Sequence, residues 1–199
     1  PGMGLARMLW LRQASPAVLR DDVMYVGAGE VASFMLTGQW FQDACNALQM
    51  GCYNVLNDCL DADPLSVVGV GLEKVAPLRV GHQTLPLCAA GAELLGVREG
   101  VPVAGPYMDH EAGYLSAAGI FEHPLQCSLG TAWVGNFIVP EPRAGHSPVQ
   151  LVISAPPPNE GSLVIQPLLT GNVAWDWGLS CFAAGSADPL ERAARIFEK

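Results

Sequence analysis

The chain has 199 residues, half of them hydrophobic and 15% charged, with ten Lys plus Arg and a formal net charge of −9 at pH 7. That length and apolar content suffice for one large domain or two small ones, while the few, scattered basic residues exclude a nucleic-acid or anionic-membrane surface. The charged fraction is low for a free-standing domain, so part of the surface is expected to be covered by other protein.

Every long apolar run is cut by Gly, Pro or a charge, so no membrane span is expected. The first residues, PGMGLARMLWLRQ, lack a long apolar core and a small-residue cleavage site, which argues against a signal peptide. Without an initiating Met, the sequence reads as an excised piece. The six cysteines, Cys45, Cys52, Cys59, Cys88, Cys127 and Cys181, contain no C-x-x-C pair. That spacing argues against a zinc site and for reduced thiols in a cytoplasmic protein.

In chain order, Gly4 to Gln13 reads as a helix, and Ser15-Pro16 starts a second short helix or turn. Val23 to Val26 is strand-like and leads into Gly27-Ala-Gly29, so VMYVGAGEVA imitates the strand, G-x-G-x-x-A and helix of a dinucleotide fingerprint. Its helix stops at Thr37-Gly38, and Glu30 would set a charge against a pyrophosphate. A coincidental Gly-rich helix start is the better reading. Asp43 and Asn46 then stand out as polar residues among apolar ones at helical spacing. Asn54 to Pro64 reads as loop, Ser66 to Val70 as a strand or buried loop, and Leu78 to His82 as a turn. Ala89 to Leu95 is a helix closed by Gly96, and a domain boundary is expected near Arg98-Glu99-Gly100.

Past that boundary, Val101 to Ala104 reads as a buried strand, Gly105-Pro106 as a turn, and residues 110–118 as a small-residue helix. Asp109 falls just past the strand end, where an acid either caps the helix or does chemistry. His110 and Glu111 invite a metal reading, but HEAGY lacks the second His of H-E-x-x-H. CSLG–TAWVGNF reads as a second apolar strand split by a tight Gly-Thr pair. Ser128, Gly130 and Thr131 there make either an ordinary β-turn or a phosphate cradle, since a Gly turn frees backbone N–H groups for anionic oxygens. A Pro/Gly-rich loop at PEPRAGHSP, a strand at Leu151 to Ser154, a turn at Ala155 to Gly161 and a strand at Leu163 to Leu169 follow. The chain closes with helices at Asn172 to Ala184 and after Asp188-Pro189. The alternation indicates an α/β or α+β fold with a mixed sheet. Neither a G-x-x-x-x-G-K-[ST] loop nor a G-x-S-x-G elbow occurs.

The pair GPYMDHEAGYLSAAG and SLGTAWV resembles the centre of the FGGY carbohydrate kinases, of the actin/hexokinase-like (RNase H-like) superfamily. The resemblance extends in order through LARMLWL, FMLTGQWFQDACNALQMGCYNV, REGVPVAG and VAWDWGL. It implies an incomplete actin/hexokinase-like fold. Residues 1–100 would be the C-terminal part of the first, sugar-binding domain and residues 101–199 the N-terminal part of the second, nucleotide-binding one. It implies Asp109 as general base on a sugar or polyol hydroxyl, also near Mg2+, with Ser128, Gly130 and Thr131 on the ATP phosphates and Tyr107 near the sugar.

The family's Asp-x-Gly-Thr phosphate loop and Gly-Gly-Gly adenosine segment are absent from these residues, so the chain alone is expected to be inactive. Its partners would be the remainder of a kinase chain and a sugar or polyol, with a homodimer as a further candidate. The alternatives are a non-catalytic binding or scaffold module of the same superfamily, with Asp109 only capping a helix, and an NAD-binding oxidoreductase using Gly27 and Gly29. The last requires a parallel βαβ unit over residues 23–60.

Overall fold

The computed structural model describes residues 3–20, 22–79, 82–130, 132–139, 152–153 and 161–197. Helix α1 (Met3–Ala14) buries Leu5 and Met8, three apart and therefore on one face, and leaves Leu9 and Trp10 exposed. It packs on α3 (Ala44–Met50) and α4 (Ala62–Val68). Arg12 Nη1 donates to Val67 O at 2.6 Å, which satisfies a carbonyl in the last turn of α4. Leu5, Met8, Ala47, Cys52, Leu65 and Val68 form the core of this half. Burying a side chain such as Leu65, which is 0% exposed, stabilises by about 2 kcal/mol.

Helix α4 corrects the expected strand or buried loop at Ser66 to Val70. Asp61 precedes it and accepts the Asp63 N–H, and Gly69 ends it in the left-handed conformation, so local capping chemistry decides the segment. The Asn- and Asp-rich loop likewise contains a short hairpin, β1 (Tyr53–Asn54) and β2 (Cys59–Leu60), which pair antiparallel.

Val23 to Val26 forms no strand, and the chain runs irregularly into α2 (Ala28–Thr37). With no strand before that helix and an antiparallel hairpin after α3, the parallel βαβ unit is missing from residues 23–60. Helix α2 packs on α5 (Ala89–Leu95), where a Cβ on Gly91 would lie 2.5 Å from Leu36 O. Only glycine lets the two helices approach so closely.

Strands β3 (Leu85–Pro86) and β4 (Pro102–Val103) pair antiparallel, so the strand expected over Val101 to Ala104 is shorter than predicted and mostly exposed instead of buried. Helix α6 (Asp109–Ala118) then lies across β5 (Gln126–Leu129) and β6 (Trp133–Val139). With β7 (Val152–Ile153) and β8 (Ser162–Leu168) these make a four-stranded antiparallel sheet in the order β5-β6-β8-β7. Along β6 the side chains of Val134 and Asn136 are buried, two apart as strand geometry dictates, and Leu163 and Ile165 of β8 join Val134, Tyr114 and Cys45 in a second core. Among the described residues every ladder is antiparallel, and a parallel bridge joins Gln42 and Leu78.

Helices α7 (Gly171–Phe182) and α8 (Pro189–Phe197) follow. Val173, Trp177 and Phe182 of α7 stay exposed, as do Met3 and Trp10 of α1. The expected loop at PEPRAGHSP, most of the strand at Leu151 to Ser154 and the turn before Gly161 lie outside the described residues. No described helix is long and apolar enough to cross a membrane.

Candidate functional site

The junction of α3 with the first turn of α6 gathers the ionisable groups that the sequence leaves scattered. Asp43 caps α3, its Oδ1 accepting the Asn46 N–H at 2.7 Å. Asn46 Nδ2 donates to Pro106 O at 3.0 Å, which ties α3 to the segment entering α6. From α6, Glu111 comes within reach of Asp43, and the two carboxyls and the Cys45 thiol place one ligand atom each within 4.8 Å of one another. Asp43, Cys45 and Glu111 are only 4%, 2% and 5% exposed.

As carboxylates, Asp43 Oδ2 and Glu111 Oε2 have no hydrogen-bond donor. One proton between them supplies both atoms at once. Accordingly, burial and then the Glu111 carboxyl push Asp43 up to about 8 from its ordinary 3.8. Like charges that close cannot both persist out of water.

Arg79 reaches this junction through the parallel bridge, where its backbone N–H donates to Gln42 O at 2.7 Å. Its guanidinium lies 4.8 Å from the centre of the Tyr107 ring and donates to Gln83 O at 3.3 Å. The Tyr107 hydroxyl is 2.7 Å from His82 Nδ1. Burial, followed by the charge of Arg79, lowers the His82 pKa. Tyr107 is thus held on both sides, two residues before Asp109.

Asp109 itself is exposed and occupies the first helical position, Met108 being the capping residue. Its Oδ1 accepts the His110 N–H at 2.9 Å. An acid at this end of a helix is favoured by the helix dipole. Next to it, His110 Nδ1 lies 3.3 Å from Asn136 Nδ2, which also donates to Gln126 Oε1 at the start of β5. Ser128 is half-buried in β5, and Gly130 is exposed just beyond it, where a Cβ would lie 3.8 Å from Ala132 O. Gly130 therefore lies four residues from Gln126, about 13 Å along the strand. Asp109 and Tyr107 share one junction, and the Gly130 turn is at the far end of β5. Thr131 lies outside the described residues.

Gly27 and Gly29 take no part in a phosphate cradle. A Cβ on Gly29 would sit 2.8 Å from Pro106 Cβ, so close packing of α2 explains that glycine. The Glu30 side chain folds back, its Oε2 2.5 Å from where a Gly27 Cβ would be, and an acid fills the helix start. Glu30 is 4% exposed, and burial raises its pKa.

Sequence reasoning missed the convergence of Asp43, Arg79 and Glu111. The available signal was Asp43 itself, an acid amid apolar residues in WFQDAC. HEAGY does hold a group capable of ligation, but that group is Glu111, and its companions come from α3 instead of a second His.

The fold matches solved carbohydrate kinases. Xylulose kinase from Rhodospirillum rubrum aligns with a TM-score of 0.80 at 20% identity, over 96% of this chain and 39% of that one. Gluconate kinase from Lactobacillus acidophilus aligns at 0.76 and 20% identity, over 94% and 38%. Plasmodium falciparum glycerol kinase with ADP aligns at 0.64 and 15% identity, over 87% and 37%. The chain has the actin/hexokinase-like fold of these kinases and spans less than two-fifths of their length. No protein-family model and no curated protein matches it.

Proposed function

We propose that the chain is the central part of an ATP-dependent carbohydrate kinase, with residues 1–100 from its sugar-binding domain and 101–199 from its nucleotide-binding domain. The observation that carries this reading is Asp109: an exposed acid at the first position of α6, in a fold shared with sugar and glycerol kinases. Its neighbour Glu111 is buried in the helix junction, whereas the Asp109 carboxyl remains accessible from solvent.

ATP with Mg2+ supplies the transferable phosphoryl group when bound. Asp109 accepts the proton of the acceptor hydroxyl as that oxygen forms its bond to phosphorus and the bond to ADP breaks. The same carboxylate would help hold a Mg2+ ion, whose charge would offset that of the phosphates. Tyr107, fixed by His82 and Arg79, borders the acceptor, and Ser128, Gly130 and Thr131 hold the phosphates. The exposure of Gly130 fits an anionic ligand approaching the backbone there.

Several groups must converge for phosphoryl transfer, and this chain supplies only part of them, so on its own it is inactive. Its partners are the acceptor sugar and the rest of a kinase chain, which would cover the apolar residues exposed on α1 and α7. In the full-length protein, Asp109→Asn lowers sugar-dependent ADP release by about 10²- to 10⁴-fold while the fold survives. Undiminished turnover by that variant would refute the assignment and favour the scaffold reading, in which Asp109 only supports the first turn of α6.

A further inference from the structure

We propose that Asp43, Cys45 and Glu111 form a site for a divalent metal ion of the zinc class. Three observations support it. The three ligand atoms lie within 4.8 Å of one another, and four-coordinate zinc, with bonds of about 2.0–2.3 Å, needs its donors roughly 3.3–3.8 Å apart. Small side-chain rotations cover the difference.

All three residues are more than nine-tenths buried, and with both carboxyls ionised Asp43 Oδ2 and Glu111 Oε2 have no donor among the described residues. Asp43 Oδ1 is already used by the Asn46 N–H, which leaves Oδ2 for a ligand. The negative charge here also exceeds its counter-charge. Glu30 adds a third buried acid that interacts with Asp43, and Arg79 is the cation facing them from the bridge, already stacked on Tyr107 and donating to Gln83 O.

The donor set selects the metal. Two carboxylates with a thiolate suit zinc, whereas Ca2+ and Mg2+ require more oxygen ligands or retained water. Cys45 packs against Tyr114, Val134 and Leu163, walls that offer little to a hydrated ion. Because thiolate and carboxylates bind metal only when deprotonated, binding releases protons. Because Asp43 and Cys45 belong to the α3 end and Glu111 to α6, the ion fastens the two parts of the chain across the 98–100 segment. This site is independent of the kinase reading.

The test titrates the chelator-treated, reduced 199-residue chain with Co2+ and then Zn2+. One equivalent of Co2+ should bind with a thiolate-to-cobalt absorption band in the near ultraviolet, and Zn2+ should abolish the band by displacement. Asp43→Asn and Glu111→Gln, which preserve side-chain volume, should each weaken binding by at least about 100-fold. Cys45→Ser should remove the band, whereas replacing the exposed Cys59, Cys127 and Cys181 together by Ser should leave it intact. The proposal is overturned by the absence of a one-equivalent complex, by a band that survives Cys45→Ser, or by a band that disappears with the exposed cysteines. Unaltered affinity in both isosteric variants overturns it as well, even if Cys45→Ser fails to fold.

Discussion

Replacing Asp43 by Asn tests whether a proton is held between α3 and α6 in the metal-free protein. The amide oxygen can still accept the Asn46 N–H, and the new Nδ2 can donate to Glu111, so capping and packing are preserved. In the wild type, Asp43 ionises near 3.8 when unfolded and near 8 when folded. Between those values the folded state holds a proton that the unfolded chain has released, so stability falls as pH rises through the window. Below pH 4 the contribution is fully present, and above pH 8 it is gone.

The slope is about 1.4 kcal/mol per pH unit, so wild-type stability drops by roughly 3 kcal/mol between pH 5 and pH 7 from this residue alone. For a chain of this length that is about 6–12 °C in Tm. Asp43→Asn removes that component, and its Tm should be flatter across the same range and above wild type at pH 7. Glu30, whose pKa burial also raises, leaves a smaller residual slope of the same sign. The measurement is thermal unfolding by circular dichroism at half-unit pH intervals, with a chelator present. Parallel wild-type and variant curves would refute the shared proton.

Gly91→Ala sets a Cβ 2.5 Å from Leu36 O, a backbone atom that cannot rotate away, and should destabilise by about 1–3 kcal/mol in denaturant unfolding. Asn46→Ala removes the donor to Pro106 O and should cost about 1 kcal/mol, with hydrogen-exchange protection lost first at residues 105–110. His82 should titrate below the ordinary 6.5 in an NMR pH series, and its protonation should disfavour the folded state, so His82 reduces stability as pH falls through that range. A midpoint at or above 6.5 would contradict its burial beside Arg79.

Helices were the most legible elements. Gly4 to Gln13, Ala89 to Leu95 and the small-residue helix over residues 110–118 carry their own apolar spacing or caps, and α1, α5 and α6 appear there, α6 one residue earlier. Short strands were not, because a two-residue β-bridge has too few residues to display alternation. Val23 to Val26 shows the converse, since β-prone residues without a pairing partner make no strand. Asp109 was visible from its position after a Gly-Pro turn, and Gly130 from its own turn. Asp43 was visible only as an oddity.

What the sequence determined by itself was the place of several helices and turns, the scarcity of basic residues and of long apolar runs, and the resemblance that points to carbohydrate kinases. These follow from spacing, capping and composition, which act over a few residues. Only the tertiary structure decided that Glu30 folds over Gly27, that Gly29 makes room for Pro106, and that Asp43, Cys45 and Glu111 meet out of water. Residues 43 and 111 are far apart in sequence, and neither carries a local mark of the other. Their shared burial arises from how α3 docks on α6, and that docking turns two ordinary acids into a pair that must hold a proton or a metal ion.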